Sequence, residues 1–160
     1  MTAGVPRTGI GWDSHRLEEG RRLVLGGVRV EHPLGLAGFS DADVLTHALI
    51  DALLGAAGLG DIGQHFPDTD ERWRDADSIA LLRTVRGMLG DAGFAPVNVD
   101  ATLVCEAPRL GPYRDRMRSR LAAALRISPA AVNVKFTTAE GLGLVGRGEG
   151  MAALAVATVA

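Results

Sequence analysis

Apolar residues recur at helical spacing between positions 40 and 63, and the rest of the chain is organised around this segment. Ser40 is predicted to cap the first turn of a helix, and Gly58 is a natural residue to end it. The apolar stripe that would face the core consists of Leu45, Ala48, Leu49, Ala52, Leu53 and Ala56. The pattern therefore predicts a helix that packs by one face and leaves His47 on another.

Elsewhere the pattern alternates between short strands and two further amphipathic helices. In chain order it predicts a strand from Thr8 to His15, a hairpin from Arg22 to Val30 turning at Gly26–Gly27, a helix from Ser78 to Asp91 capped by Asp77, a strand from Val97 to Val104, a helix from Pro112 to Leu125, a strand from Val132 to Thr138 and a C-terminal strand. The segments 31–39, 61–75, 105–111 and 139–150 are predicted to be loops.

This order of elements predicts one α+β domain over residues 1–160, a sandwich with helices on one face of a mixed, mostly antiparallel sheet. The chain supplies no second helical layer, so we expect an oligomer to cover the other face of the sheet.

The composition narrows the class of protein. The 160 residues are 47% hydrophobic with a formal net charge of −2, which fits a globular protein and gives no general attraction to nucleic acid or anionic membranes. We see no signal peptide and no apolar segment long enough to span a bilayer. The single cysteine, Cys105, precludes an intramolecular disulfide and favours a reducing compartment. We therefore expect a soluble, cytoplasmic protein.

Three residues form a candidate metal site. Asp13 and His15 are two positions apart on a predicted strand, so their side chains point to the same side. With His47 they supply one carboxylate and two imidazoles, a set that suits zinc and leaves a fourth position for water or substrate. Spacing alone leaves a structural or accidental arrangement open. Asp51, one turn beyond His47, is either a residue that orients the imidazole or a solvated helix carboxylate.

Two further regions carry polar groups that could bind a ligand. The acids of Asp61–Gly63 and Phe66–Asp70 are candidates to bind sugar hydroxyls or a cation, with a polar surface loop as the alternative. Thr137, Thr138 and Glu140 lead into a glycine-rich segment that could bind phosphate, and Glu140 could hold a hard divalent ion. The alternative there is a long hairpin turn.

Five motifs occur in a specific order along nearly the whole chain. They are DSH at Asp13, SDADVLTHALIDALLGAAGLGDIG at Ser40, FPDTD at Phe66, EAPRLGP at Glu106 and TTAEGLGLVGRGEG at Thr137. Together they resemble the 2-C-methyl-D-erythritol 2,4-cyclodiphosphate synthases, trimeric enzymes of the non-mevalonate pathway of isoprenoid biosynthesis.

The resemblance implies a phosphorus–oxygen lyase that converts 4-diphosphocytidyl-2-C-methyl-D-erythritol 2-phosphate to the cyclic 2,4-diphosphate and cytidine monophosphate. It implies a homotrimer with active sites between neighbouring subunits. It also implies a zinc ion on Asp13, His15 and His47, and a magnesium or manganese ion held by Glu140 and the substrate's phosphates. Thr138 would donate a hydrogen bond near the transferring phosphate, so Thr138 and Glu140 are the implied catalytic residues.

The resemblance also implies substrate-binding residues in four groups. Those near the metal and the methylerythritol part are Asp13, His15, Phe39, Ser40, Phe66, Pro67, Asp68, Thr69 and Asp70. Those near the ribose are Asp61, Ile62 and Gly63. Those near the cytidine phosphate are Cys105, Glu106, Ala107, Pro108, Arg109, Leu110, Gly111, Phe136, Thr137, Thr138, Ala139 and Glu140. Leu144 and Arg147 resemble the lining of a cavity on the three-fold axis where isoprenoid diphosphates can bind.

Four positions depart from the family pattern. Arg109 stands where lysine is usual, Ala139 where threonine is usual and Leu144 where phenylalanine is usual. Phe39 stands where the family has a histidine thought to align phosphate, and phenylalanine has no hydrogen-bond donor. Phe39 is the one feature that favours an alternative function, a turnover-impaired, metal-containing trimeric binding protein of the same fold.

Overall fold

A five-stranded mixed sheet forms one layer of the molecule. The computed structural model describes residues 4–160, and residues 1–3 of the predicted domain lie outside this range. The described residues contain seven strands, namely β1 (Arg7–Glu19), β2 (Leu23–Leu25), β3 (Val28–Val30), β4 (Leu34–Leu36), β5 (Pro96–Val104), β6 (Val132–Thr137) and β7 (Gly150–Val159). The sheet order is β4-β1-β7-β5-β6, with β5 and β6 parallel and the other pairs antiparallel. Strands β2 and β3 pair with each other in a separate two-stranded sheet. The predicted α+β class and mostly antiparallel sheet are confirmed.

The helices form the second layer. They are α1 (Val44–Ala57), α2 (Ile62–His65), α3 (Ser78–Asp91), α4 (Arg114–Leu125) and α5 (Gly143–Gly146). The predicted bounds of α3 and its cap are confirmed, since the Asp77 side chain accepts from the backbone N–H of Ile79. Within residues 4–160, we find no helix with the length and apolar character needed to cross a membrane.

Glycines in β1 allow α1 to lie unusually close to the sheet. A Cβ at Gly9 would overlap the backbone of Ala52, and one at Gly11 would overlap the carbonyl of Ala48. Because side chains alternate along a strand, Asp13 and His15 share the helix-facing side of β1 with these glycines. The close approach of backbone to backbone thus brings both side chains to the first turns of α1.

The cap of α1 differs from the prediction, because Asp43 and not Ser40 begins the helix. The buried Asp43 carboxylate accepts from the backbone N–H groups of Gly26, Gly27 and Thr46 at 2.9, 2.8 and 3.0 Å. It also accepts from the Thr46 hydroxyl at 2.7 Å. Two carboxylate oxygens can tie the β2–β3 turn to the helix, whereas a serine hydroxyl lacks this capacity. This carboxylate fixes the start of α1.

The prediction that α1 packs by one face is wrong. Twelve of its fourteen residues are buried, His47 among them, and the predicted end at Gly58 is confirmed. The sheet covers one side of the helix, while α3 and β2 contact others. His47 is therefore a nearly enclosed side chain and not one on a solvated face.

Three predicted loops contain short elements. The segment 31–39 includes β4, which pairs with residues Leu17–Glu19 of a longer β1 than predicted. The segment 61–75 includes α2 and a 3₁₀ turn at Glu71–Trp73, and the segment 139–150 includes α5. These elements are three or four residues long, too short for a periodic pattern to show.

The face of the sheet opposite α1 carries an exposed apolar strip. Ile10 pairs with Val156 and Trp12 with Leu154 across β1 and β7. Their side chains are 68, 39, 59 and 39% exposed, respectively. Exposed apolar patches of this kind mark interaction sites, so the predicted oligomer has a candidate interface here.

Candidate metal centre and substrate cavity

Asp13, His15 and His47 converge where β1 meets α1. Asp13 Oδ2 lies 2.7 Å from His15 Nε2 and 3.2 Å from His47 Nδ1, and these two nitrogens lie 3.3 Å apart. One carboxylate and two imidazoles thus present their ligand atoms to a common point. The structure brings together the three residues that strand alternation and the helix position predicted.

The donor set fits a divalent transition metal. Bonds of about 2.0–2.2 Å at tetrahedral angles place neighbouring ligand atoms roughly 3.3–3.6 Å apart. Two of the separations, 3.2 and 3.3 Å, are close to that spacing. The third, between Asp13 and His15, is a direct hydrogen bond of 2.7 Å that a cation would replace. Three protein ligands would leave one coordination position open toward the cavity.

The two imidazoles present opposite nitrogens to this point. His15 Nδ1 donates to the carbonyl oxygen of Ala37 at 2.8 Å, so its Nε2 faces the cluster. His47 is reversed, because its Nε2 lies 2.8 Å from Ser78 Oγ and 3.2 Å from Ser40 Oγ. Asp51, considered for the orienting role, instead accepts from the backbone N–H of Ile62 at 2.8 Å.

Charge is concentrated at the cluster. Burial alone would raise the pKa of Asp13, but hydrogen bonds and charge from His15 and His47 outweigh it and lower that pKa to about 2. Burial alone would lower the pKa of His15, yet the hydrogen bond and charge of Asp13 raise it above its usual value. Asp13 is therefore a carboxylate across the neutral range, as a metal ligand must be.

A cavity of about 540 Å³ opens on this cluster. Its lining includes eleven of the predicted residues, namely Asp13, His15, Phe39, Ser40, His47, Ile62, Gly63, Phe66, Pro67, Asp68 and Thr69. It also includes Trp73, which sequence analysis missed and whose ring meets that of Phe66 edge-on at 5.0 Å between centroids. The cavity combines a charged floor of candidate metal ligands with an aromatic wall.

Two predicted residues of this region have local roles and are absent from that lining. Asp61 caps α2 by accepting from the backbone N–H of Gln64 at 3.0 Å. Asp70 binds the Arg72 guanidinium at 2.6 Å. Both carboxylates therefore shape the loop in this chain.

A second cavity, of about 510 Å³, lies between the β5–α4 connection and the end of β6. It is lined by most of the residues predicted to surround the cytidine phosphate, namely Cys105, Glu106, Pro108, Arg109, Leu110, Gly111, Phe136, Thr137 and Thr138. It shares no lining residue with the first cavity. Burial, and then the charge of Glu106, raise the pKa of Cys105 to about 11, so the cysteine is a thiol there.

Glu140 follows the second cavity on a strained turn. Its φ of 53° lies in the left-handed region, where a residue with a side chain is uncommon. Thr138 Oγ1 accepts from the Glu140 backbone N–H and donates to Glu140 Oε1, both at 3.2 Å. The neighbouring Ala139 N–H is held by Glu106 at 2.7 Å. Thr138 and Glu140 thus form one exposed hydroxyl–carboxylate pair.

Comparison with known proteins fits this geometry. The model of the YgbB family matches residues 6–160. The chain belongs to the YgbB family. It is 61% identical over 153 residues to the 2-C-methyl-D-erythritol 2,4-cyclodiphosphate synthase of Salinibacter ruber, covering 96% of this chain and 98% of that one. The resemblance inferred from the five motifs is confirmed.

Solved structures extend the comparison. A 2C-methyl-D-erythritol-2,4-cyclodiphosphate synthase in a CDP-bound form superposes on the YgbB chain with a TM-score of 0.88 at 40% identity, covering 96% of this chain and 100% of that one. The bifunctional IspDF of Campylobacter jejuni superposes with a TM-score of 0.94 at 41% identity, covering 98% of this chain. The YgbB chain spans 42% of that bifunctional protein.

In this YgbB chain Phe39, one of the expected departures from the family pattern, packs against an arginine side chain. The Arg74 guanidinium lies 4.7 Å from the Phe39 ring centroid, and Glu71 holds that guanidinium at 2.6 Å.

Leu144 lies outside the two cavities described above, beside His15 in a pocket of about 170 Å³. Arg147 binds Glu149 at 2.8 Å. The departures from the family pattern leave the metal ligands unchanged.

Proposed function

We propose that this protein converts 4-diphosphocytidyl-2-C-methyl-D-erythritol 2-phosphate to 2-C-methyl-D-erythritol 2,4-cyclodiphosphate and cytidine monophosphate in the non-mevalonate pathway. The observation that carries the proposal is the Asp13–His15–His47 cluster at the floor of a cavity, in a chain 61% identical to a named synthase. The family match over residues 6–160 supports one cyclodiphosphate synthase-like domain, for which we propose the bounds 1–160.

Zinc on Asp13, His15 and His47, and magnesium or manganese on Glu140, are the proposed ions. The nitrogen and oxygen donors at the first site suit zinc, and the exposed carboxylate at the second suits a hard ion shared with phosphates. When bound, these cations neutralise phosphate charge and polarise phosphoryl oxygens.

The reaction needs little covalent help from side chains. An oxygen of the 2-phosphate forms a bond to the β-phosphorus, and the bond from that phosphorus to the bridging oxygen of cytidine monophosphate breaks. Holding the attacking and leaving oxygens in line supplies several kcal/mol by proximity. We assign this positioning to the cavity residues, with Ser40 and the loop Phe66–Asp70 around the methylerythritol part. Thr138 donates a hydrogen bond to the transferring phosphate.

We assign the nucleotide to the second cavity of one subunit, with Asp61, Ile62 and Gly63 of a neighbouring subunit close to the ribose. The pocket lined by Cys105, Glu106 and the residues 108–111 is large enough for a pyrimidine ring and its phosphate, and Phe136–Thr138 closes its other side. Ala107 belongs to the same segment, and we assign it to the same group. Ala139 and Glu140 then lie where the diphosphate would emerge.

We further propose a homotrimer in which each active site joins the metal cavity of one subunit to the nucleotide cavity of another. Two observations support it. The two cavities share no lining residue, so neither alone lines a complete site. The apolar strip of Ile10, Trp12, Leu154 and Val156 supplies an exposed surface that association would bury. An isoprenoid diphosphate near Leu144 and Arg147 on the three-fold axis is part of this proposal.

The relatives favour the enzyme over the binding-protein alternative, because those compared are named synthases. Phe39 lines the cavity beside the intact metal cluster. A small-molecule partner, with no nucleic acid or membrane partner, agrees with the near-neutral charge of the chain. The buried free Cys105 supports the proposed cytoplasmic location.

Incubating the purified protein with the cytidine substrate, zinc and magnesium tests the proposal. We expect cyclic diphosphate and cytidine monophosphate in equal amounts. Zinc-loaded protein that binds the substrate and releases no cytidine monophosphate would overturn the enzyme assignment and favour the binding protein.

A further inference from the structure

Behind His47, on the side away from the metal cluster, lies a chain of polar groups that the proposed mechanism does not use. His47 Nε2 lies 2.8 Å from the hydroxyl of Ser78 at the start of α3. That hydroxyl bonds the carboxylate of Asp41, which also accepts the backbone N–H of Ser78 at 2.9 Å. Ser78 is fully buried and His47 is 9% exposed, so solvent has little access to the contact between them.

The direction of these hydrogen bonds follows from the number of protons available. A carboxylate only accepts, so Asp41 takes the single hydroxyl proton of Ser78. The Ser78 oxygen can then only accept from its other neighbour, and that neighbour is His47 Nε2. His47 must therefore carry a proton on Nε2, so whenever the imidazole is neutral its lone pair is on Nδ1. The contact between Nδ1 and Asp13 Oδ2 at 3.2 Å is then the one that a cation would replace.

Nδ1 is the nitrogen that faces Asp13 and His15. We infer that Ser78, held by Asp41, is a positioning residue that fixes His47 in the Nε2–H tautomer and so reserves Nδ1 for the metal ion. The inference rests on the metal site of the proposed function. It assigns to Ser78 the role that the Ala37 carbonyl has for His15.

Sequence spacing does not reveal this link, because Ser78 lies 31 positions from His47. Ser78 is at the first position of α3, next to the cap Asp77, and its type is common at a helix start for local reasons. Asp77 therefore offers a matched control, since it stabilises the same helix end through the Ile79 N–H.

The first test is nitrogen NMR of the imidazoles in the metal-free, full-length protein, with His47 assigned by comparison with His47→Gln. At a pH where His47 is neutral, we expect the Nε2–H tautomer in the unmodified protein and a mixture of tautomers in Ser78→Ala. A predominant Nδ1–H tautomer in the unmodified protein would overturn the inference whatever the behaviour of Ser78→Ala.

The second test is zinc affinity measured by competition with a chromogenic chelator. We expect Ser78→Ala to weaken zinc binding about 10- to 100-fold, the usual effect of losing such a partner. Ser78→Thr, which keeps the hydroxyl, should recover most of the affinity, and Asp77→Ala should lower thermal stability with zinc affinity unchanged. Equal affinities for Ser78→Ala and the unmodified protein would overturn the inference, as would an equal loss in Asp77→Ala.

These outcomes are separable from those of the product assay. If Ser78→Ala bound zinc with the affinity of the unmodified protein and formed normal cyclic product, Ser78 would not be a positioning residue for His47. The proposed function would be unaffected. Normal tautomer and zinc results with no product would remove the enzyme assignment and leave the role of Ser78 standing.

Discussion

The cavity at the Asp13–His15–His47 cluster, which we call the metal cavity, differs from the cavity to which we assign the nucleotide, the nucleotide cavity. They differ in how complete each is within a single chain. Asp13, His15 and His47 have side chains only 27, 19 and 11% exposed, and the hydrogen bonds of Ala37 and Ser78 orient both imidazoles. Preorganisation of this kind is what a metal site needs, because ligands held in place lose little freedom on binding.

The nucleotide cavity is more open. Thr138 and Glu140 are exposed, and their hydrogen bonds are mainly to each other on a turn with positive φ. Backbone strain of order 1–3 kcal/mol persists where the surroundings or a ligand hold it. The contrast teaches that one chain preorganises the candidate metal ligands, whereas Thr138 and Glu140 stay exposed, as our proposal of a shared site requires.

Removing a metal ligand should have the largest effect. We expect His47→Ala to lose bound zinc and to lower activity roughly 10³-fold, since a Lewis acid contributes several kcal/mol to phosphoryl transfer. Metal analysis by mass spectrometry and the product assay check this, with His32→Ala, a loop histidine outside the cluster, as the control. Unchanged zinc content would remove His47 from the site.

A charge on the exposed apolar face of the sheet should prevent subunits from associating. The metal cavity of one subunit would then no longer meet the nucleotide cavity of another. We expect Leu154→Asp to yield smaller oligomers that still bind zinc and to lower activity more than about 100-fold, because a charge in an apolar interface opposes association. Analytical ultracentrifugation measures the change. Val5→Asp places the same charge on a residue that is 83% exposed and outside the strip, and should leave assembly intact. Intact assembly in Leu154→Asp would show that the strip is not the interface.

Replacing the Glu140 carboxylate by an amide should weaken magnesium binding and leave zinc binding unchanged. We expect Glu140→Gln to lower activity roughly 100-fold at low magnesium and less at high magnesium, with zinc content unchanged, because an amide is a weaker ligand for a hard cation. A magnesium titration of initial rates checks this. An unaltered magnesium dependence would contradict the role given to Glu140.

The smallest effect is expected at Phe39. A histidine there could donate to a phosphate in the metal cavity, so we expect Phe39→His to raise the rate by a factor of about 2–10, in the range of one additional hydrogen bond. Phe39→Leu, which also lacks a donor, serves as the control. An unchanged or lower rate in Phe39→His would show that the lack of a histidine at position 39 does not lower the reaction rate.

Local features of the fold followed from sequence more reliably than non-local ones. The α3 bounds, its Asp77 cap and the glycine turn of the hairpin were all predicted, since each depends on neighbouring residues. Strand β4 was missed because three residues in a glycine- and proline-rich segment are ordered by pairing with β1. Asp43 displaced Ser40 as the cap because of its bonds to Gly26 and Gly27, which lie 17 and 16 positions away.

The same distinction holds within the site. Strand alternation and helix position made Asp13, His15 and His47 candidates for one site, and motif order supplied the expected chemistry. The contact between Ser78 and His47 could not be predicted from the sequence, because it depends on where α3 packs against α1. Trp73 was not predicted as a site residue, because its place in the cavity wall follows from the turn at Glu71–Trp73, which has no periodic pattern.

Mixing His47→Ala with Glu140→Gln at low magnesium, where both variants are strongly impaired, tests most directly whether each site is shared between subunits. His47→Ala damages the metal cavity alone and Glu140→Gln the phosphate-facing pair alone, so each mixed trimer can contain sites built from two undamaged halves. Refolding an equal mixture should restore about a quarter of the unmodified activity if subunits combine at random. Activity that stays at the level of the separate variants, with mixed trimers verified by native mass spectrometry, would contradict the account and place both halves of each site in one chain.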